Sequence, residues 1–240
     1  RELFTNSNQI DFASISQEPT AVFLHVSDSD YSLANLTSLF YTQALQALIA
    51  EADKQPDNRL QIPVRLYLDD FANLLVPDMD KTISVIRSRE ISVSIVLQSI
   101  TQLEGLYGHA KAMTIVDNCD TLLYLGGKSV DTQKMISEMV GKETVEVNTQ
   151  NVSRGNGGST TTNTSYIERD LMQASEVGRM GRDRALVLFS NAAPLRDSKY
   201  PTQRHPRYEL LAGHPGSRYP GRFDYGAYLQ ERRRREAASS

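Results

Sequence analysis

The sequence predicts an α/β fold, a mostly parallel sheet with helices on both faces, and three observations carry that expectation. Short apolar runs of strand length recur along the chain. Segments with apolar residues at helical spacing separate them, the alternation that builds a covered parallel sheet. The 240 residues, 40% hydrophobic and 23% charged, suit one globular domain with room for a real core.

Residues 20–25 (TAVFLH) read as a short strand. Residues 34–52 place Leu36, Leu39, Phe40, Ala44, Leu45, Leu48 and Ile49 at helical spacing, so they read as one long amphipathic helix. The polar stretch 53–61, with Pro56, Asp57 and Asn58, is a loop. VRLYLDD (64–70) is a strand ending in two carboxylates, 78–89 a helix, and SVSIVLQ (92–98) a second strand ending in a polar residue. Two short helices, 99–107 and 109–118, flank Gly108. TLLYL (121–125) is a third strand, GGKS a turn, and 131–140 a helix.

After Val147 the pattern changes. Residues 148–165 are almost entirely Asn, Thr, Ser, Gly and Gln, and read as a flexible polar loop. A short helix at 170–180 and a last buried strand, ALVLF (185–189), complete a domain over 1–200. Residues 201–240, dense in Pro, Gly, Arg and Tyr, read as an irregular basic tail.

Net charge is −3, but from Arg196 onward ten basic residues face five acidic ones. Such a tail suits nucleic acid or anionic lipid, or is simply a solvated end. No apolar stretch nears the roughly 18 residues of a membrane span, and Arg1-Glu2 opens no signal peptide. The single Cys119 excludes an internal disulfide framework, so a reducing setting is the default. The four His are scattered without metal-ligand spacing.

The residues that carry chemistry begin with Asp69 and Asp70, at the C-terminal end of an apolar strand, where open α/β sheets bind ligands. One carboxylate there can hold Mg²⁺ and its neighbour can orient and deprotonate an attacking water. A turn or helix cap is the plain alternative. Gln98 ends the next strand, and side-by-side pairing would set its amide near both carboxylates, to sense a γ-phosphate or position water; capping the following helix is its alternative. Arg87 and Arg89 lie near a helix end, either as cations favoured at a C-terminus or as a charge reaching a neighbouring subunit's nucleotide. GGKS (126–129) is not a phosphate loop, because the first Gly of G-x-x-x-x-G-K-[ST] would fall on Leu122, inside a strand. It reads as a tight turn with Lys128 exposed.

LYLDDFANLLVPDMDKTISVIRSREISVSIVLQS, followed by YG, IVDNCDTLLYLGGK and VGKETV, resembles the TraG/TraD-type coupling proteins of conjugation and type IV secretion. TAVFLHVSDSD upstream and RDLMQASEVGRMGRDRALVLF downstream fit too, so the resemblance covers roughly 18–208. It implies a RecA-like P-loop ATPase core, a DNA translocase motor that uses ATP and Mg²⁺. It also implies a homo-oligomeric ring, a hexamer, on the cytoplasmic face of the bacterial inner membrane. There the motor would recruit a relaxase–DNA complex and pump single-stranded DNA, without sequence preference, to secretion channel proteins. By position, Asp69 becomes the metal-side Walker B carboxylate, Asp70 the catalytic carboxylate and Gln98 the sensor. Arg87 is the first and Arg89 the second candidate for the arginine finger.

The sequence departs from the family in having Asp70 where Glu is usual, a side chain one methylene shorter. It also holds no Walker A motif and no membrane helix, which the resemblance places upstream; this implies a partial domain, soluble and inactive by itself. Two further readings stay open: a weakly active or inactive docking platform for relaxosome and channel proteins, and an FtsK/HerA-like DNA translocase.

Overall fold

The computed structural model describes residues 11–24, 34–152, 160–211 and Arg234. The chain divides into two compact units, Arg1–Asp197 and Ser198–Ser240.

In the first unit, helix α1 (Ala34–Asp53) buries Thr37, Ala44, Leu45, Leu48 and Ala52. That spacing makes one stripe along the helix, the pattern of a helix laid on a core. Strand β1 (Val64–Leu68) follows, then helix α2 (Met79–Ile86), which buries Met79, Ile83 and Ile86 one turn apart. Strand β2 (Ile91–Ile95) lies parallel to β1, from Val64 opposite Ile91 to Leu68 opposite Ile95. Helices α3 (Ile100–Tyr107) and α4 (His109–Asp117) are separated by Gly108, whose φ of +77° suits a residue without Cβ. Leu103 of α3 and Ile115 of α4 join α1, α2 and both strands in the larger core cluster.

Strand β3 (Thr121–Tyr124) leads into helix α5 (Val130–Val140), capped by Ser129, whose hydroxyl accepts the Thr132 N–H at 3.3 Å. Then come strands β4 (Lys142–Val152) and β5 (Thr160–Asp170), helix α6 (Ala174–Gly178), and strands β6 (Arg184–Phe189) and β7 (Ala192–Ser198). Tyr124, Ile136, Val177, Leu186 and Leu188 form a second, smaller core cluster.

The α/β class and the order of strands and helices from residue 34 onward follow the expectation, with four differences. The expected strand at 20–25 does not form: Thr20–Leu24 is unpaired among the described residues, Phe23 is 94% exposed, and His25 lies outside them. The expected loop at 148–165 is mostly a hairpin, β4 pairing antiparallel with β5 from Lys142 opposite Asp170 to Val152 opposite Thr160. Residues 153–159 lie outside the described residues. Cross-strand hydrogen bonding needs no apolar alternation, and Thr favours strands. ALVLF is not the last strand, since β7 extends the sheet to the order β3-β6-β7. Finally, parallel pairing is present in β1 and β2, whereas β3 runs antiparallel to β6.

Several apolar side chains of these strands are exposed: Tyr67 of β1 by 70% and Leu123 of β3 by 55%, with Val96 and Leu125 exposed just after β2 and β3. Parallel strands are ordinarily covered on both sides, so the Tyr67 side of β1 is suited to a covering layer. In the second unit, the described residues form short turns at Thr202–Arg204 and Tyr208–Leu210; residues 212–240, apart from Arg234, lie outside them.

A buried polar contact locks the loop after β1 to α3. The Tyr107 hydroxyl accepts the Val76 N–H and donates to the Val76 carbonyl, both at 3.0 Å. Burial pushes the Tyr107 phenol up to about 12. Its contribution is therefore fully present below about pH 10, the ordinary tyrosine value, and is lost as pH rises through about 12. Tyr107→Phe strands the buried Val76 N–H and is expected to cost about 1–3 kcal/mol. Thermal unfolding checks this, at about 2–4 °C per kcal/mol.

Candidate active site

The parallel register of β1 and β2 sets their C-terminal ends side by side. Two backbone bonds prolong the pairing past the strands: Val96 N–H to the Leu68 carbonyl at 3.0 Å, and Phe71 N–H to the Val96 carbonyl at 3.2 Å. Asp69 and Asp70 emerge between these bonds, both exposed. Asp70 turns the chain sharply, with φ at +46°, a left-handed conformation that Asp tolerates better than most residues. Its N–H donates to the Asp69 carboxylate at 3.1 Å, so the first acid braces the turn that aims the second.

Strand β2 stops at Ile95, short of the expected 98, so Gln98 lies three residues past its end, just before α3. Its side-chain amide donates to Asp70 Oδ1 at 3.4 Å, and its backbone N–H donates to Gln102 Oε1 at 3.2 Å. Gln102, in the first turn of α3, thus holds the Gln98 backbone. The sequence reading missed it; its one signal is an amide side chain four residues on, at a helix N-terminus. A third element closes the edge. A Cβ on Gly127 would stand 3.9 Å from the Gln98 carbonyl, and Thr132 Oγ1 accepts the Ile100 N–H at 3.1 Å. The turn Gly126-Gly127-Lys128-Ser129 joins β3 to α5 with Lys128 exposed, and Leu122 lies within β3, so no phosphate loop forms there.

The structure does not bring the two arginines to this edge. Arg87–Arg89 is a 3-10 turn before β2, and the adjoining backbone bonds, Leu60 N–H to Arg89 carbonyl and Val64 N–H to Glu90 carbonyl, put it at the strands' N-terminal end. A five-residue strand separates the two ends by roughly 16 Å. The Arg89 guanidinium is engaged within the chain, Nε to Asp53 Oδ1 at 2.8 Å and Nη1 to the Val85 carbonyl at 2.9 Å. Arg87 is exposed and makes no ion pair among the described residues.

The edge offers two carboxylates and an amide. Among the described residues no group of three or more His, Cys, Asp or Glu side chains converges to hold a metal. Two carboxylates nevertheless fit Mg²⁺, which usually keeps several waters and takes its remaining oxygens from substrate phosphates. Asp69 is the carboxylate that would hold it here, with Asp70 beside it.

Paired acids and a facing glutamine at the C-terminal edge of parallel strands occupy the place where open α/β sheets bind their ligands. Comparison with known proteins is specific. The family profile described as "TraM recognition site of TraD and TraG" matches residues 63–182. Type IV secretion system-coupling protein VirD4 of Bartonella quintana (strain Toulouse) is 29% identical over 217 residues, 88% of this chain and 33% of that protein. VirD4 of Bartonella henselae is 29% identical over 218 residues, 87% of this chain and 33% of its own. Among solved structures, the conjugative coupling protein TrwB in complex with sulphate shares the fold, with a TM-score of 0.55 and 20% identity over 72% of this chain and 39% of that one. TrwB in complex with ADP and Mg²⁺ gives a TM-score of 0.52 and 19% identity over 72% and 40%. This chain belongs to the TraG/TraD family of coupling proteins, and corresponds to the C-terminal part of their RecA-like domain. It spans about a third of the length of the curated relatives it matches.

Proposed function

We propose that the chain is the distal part of an ATP-driven coupling protein that recruits a relaxase–DNA complex and drives it into a type IV secretion channel. The observation that carries the reading is the meeting of Gln98 with Asp70 beside Asp69 at one strand edge. It is supported by TrwB, solved with ADP and Mg²⁺ and with non-hydrolysable ATP and GTP analogues.

In this reading Mg²⁺, when bound, neutralises charge on the phosphates. Asp69 would hold it while bracing the Asp70 turn. Asp70 orients the attacking water and takes its proton, and the Gln98 amide fixes the direction of the Asp70 carboxylate and senses the γ-phosphate. Arg87 serves a neighbouring subunit's nucleotide in a homo-oligomeric ring, a hexamer, at the cytoplasmic face of the inner membrane. Among the described residues no helix is long and apolar enough to cross a membrane. Single-stranded DNA is gripped through its phosphates without base reading, and the basic tail is a candidate contact.

Steady-state ATP hydrolysis by the full-length protein, with and without single-stranded DNA, tests this. Turnover stimulated by DNA and weakened by salt is the expected result. A second reading rests on Asp70 itself: a carboxylate withdrawn by a methylene can cost on the order of 100-fold in rate. A silent wild type that Asp70→Glu awakens would replace the motor with a docking platform for relaxosome and channel proteins.

A further inference from the structure

The β4–β5 hairpin has eleven residue pairs and no third strand among the described residues. A ribbon this long exposes a row of unpaired N–H and C=O groups along each edge, a template that proteins usually blunt with charges or Pro. The base of this one carries charges: Lys142, Glu143, Glu146, Glu168, Arg169 and Asp170. The distal half, 147–152 and 160–165, has no charge and no Pro on either strand. Both edges are left fit for pairing.

The register identifies which groups face outward. The Leu171 N–H donates to the Gly141 carbonyl at 3.0 Å, so residues 141 and 171 form a hydrogen-bonded pair at the root of the ribbon. Bonded and non-bonded pairs alternate in an antiparallel ladder. Glu146, Asn148 and Gln150 on β4, and Thr162, Thr164 and Tyr166 on β5, therefore turn their backbone groups away from the partner strand. Val147 apart, the described side chains of both broad faces in the distal half are polar as well. Thr164 Oγ1 donates to Asn148 Oδ1 at 2.7 Å on one face, while Thr149, Asn163 and Ser165 occupy the other, so added strands need no apolar cover.

The missing neighbour follows from the two edges together. A nucleic acid would want Lys or Arg along the ribbon, and its described distal half has neither. One added peptide strand would satisfy a single edge and leave its equal open. A second copy satisfies both, because β4 of one hairpin set against β5 of the next continues the antiparallel alternation and repeats at each copy. Thr and amide side chains facing each other across such a seam add hydrogen bonds.

We propose that this hairpin joins copies of the chain head to tail, the β4 edge of one against the β5 edge of the next. The inference rests on the oligomeric reading above, but its readout is covalent linkage rather than nucleotide turnover, so the two can fail separately.

The test mixes two full-length proteins in a Cys119→Ser background, one carrying Gln150→Cys and the other Thr162→Cys, and oxidises them. Disulfides joining the two variants, in several-fold excess over self-linked pairs, are expected. Adding Thr164→Pro to the second protein removes an outward N–H without touching an internal ladder bond, and loss of the mixed cross-link is expected. No cross-link, self-linked Thr162→Cys pairs alone, or a mixed cross-link indifferent to Thr164→Pro would each overturn the proposal.

Discussion

Mixing Arg87→Ala protein with Asp69→Ala protein is expected to restore ATP turnover that neither variant has alone. Each variant by itself should fall about 10³-fold or more, the scale of an arginine finger and of a lost metal carboxylate. The reason for recovery lies in the strand directions. Asp69, Asp70 and Gln98 stand at the C-terminal ends of β1 and β2, while Arg87 opens the turn that feeds β2 at its N-terminal end. No side-chain rotation spans the roughly 16 Å between them, so within one subunit Arg87 does not reach the phosphates that Asp69 would serve. In a ring, an Arg87→Ala subunit keeps its carboxylates and can borrow Arg87 from an Asp69→Ala neighbour. Random assembly would recover up to roughly a quarter of wild-type turnover. Arg89→Ala should behave differently. Its guanidinium ties the turn to Asp53 and Val85, so its loss loosens a half-exposed tether worth at most about 1 kcal/mol, with no complementation signature. Arg87→Ala protein that turns over ATP like wild type would remove this arginine from the mechanism, and a mixture no better than its parts would remove the exchange between subunits.

What the sequence disclosed of this edge follows from what forms it. Asp69, Asp70 and Gln98 follow apolar runs, and two runs linked by a helix pair in parallel, so their polar ends meet. The bracing was less legible: that Asp69 accepts the Asp70 N–H depends on a left-handed turn no periodicity announces, and Gln102 looks like any polar residue of a first helical turn. The hairpin was hidden for another reason. Strand signals rest on burial, and Asn148 to Gln150 and Thr162 to Ser165 bury almost nothing; their order comes from the backbone ladder. The error at 20–25 is the converse, an apolar run with strand composition that finds no partner among the described residues and leaves Phe23 in solvent. Apolar character reveals a strand only where the rest of the chain supplies a sheet.

Phe71→Ala is expected to be the most damaging single truncation near the site, because one ring serves both core and chemistry. Phe71 is fully buried, follows Asp70 directly, and stacks on Tyr107 with ring centres 6.0 Å apart and planes 12° from parallel. Its N–H closes the last backbone bond between the β1 and β2 ends. Emptying that volume should cost about 3–5 kcal/mol, a large share of the 5–15 kcal/mol that typically holds a domain together. Amide hydrogen exchange in β1 and β2 reads this directly, since 3–5 kcal/mol corresponds to opening about 10²- to 10⁴-fold more often. Phe71→Leu, which keeps most of the apolar volume, should lose well under half as much. The same contrast separates packing from catalysis. With Phe71→Ala, the left-handed Asp70 turn loses the anchor on its C-terminal side, so turnover should fall even below the temperature at which the domain unfolds. With Phe71→Leu, turnover should stay within a few-fold of wild type. Unchanged exchange in Phe71→Ala would mean that the Asp70 turn is held by the Asp69 bracket and the strand pairing alone, and that the ring beneath it is dispensable.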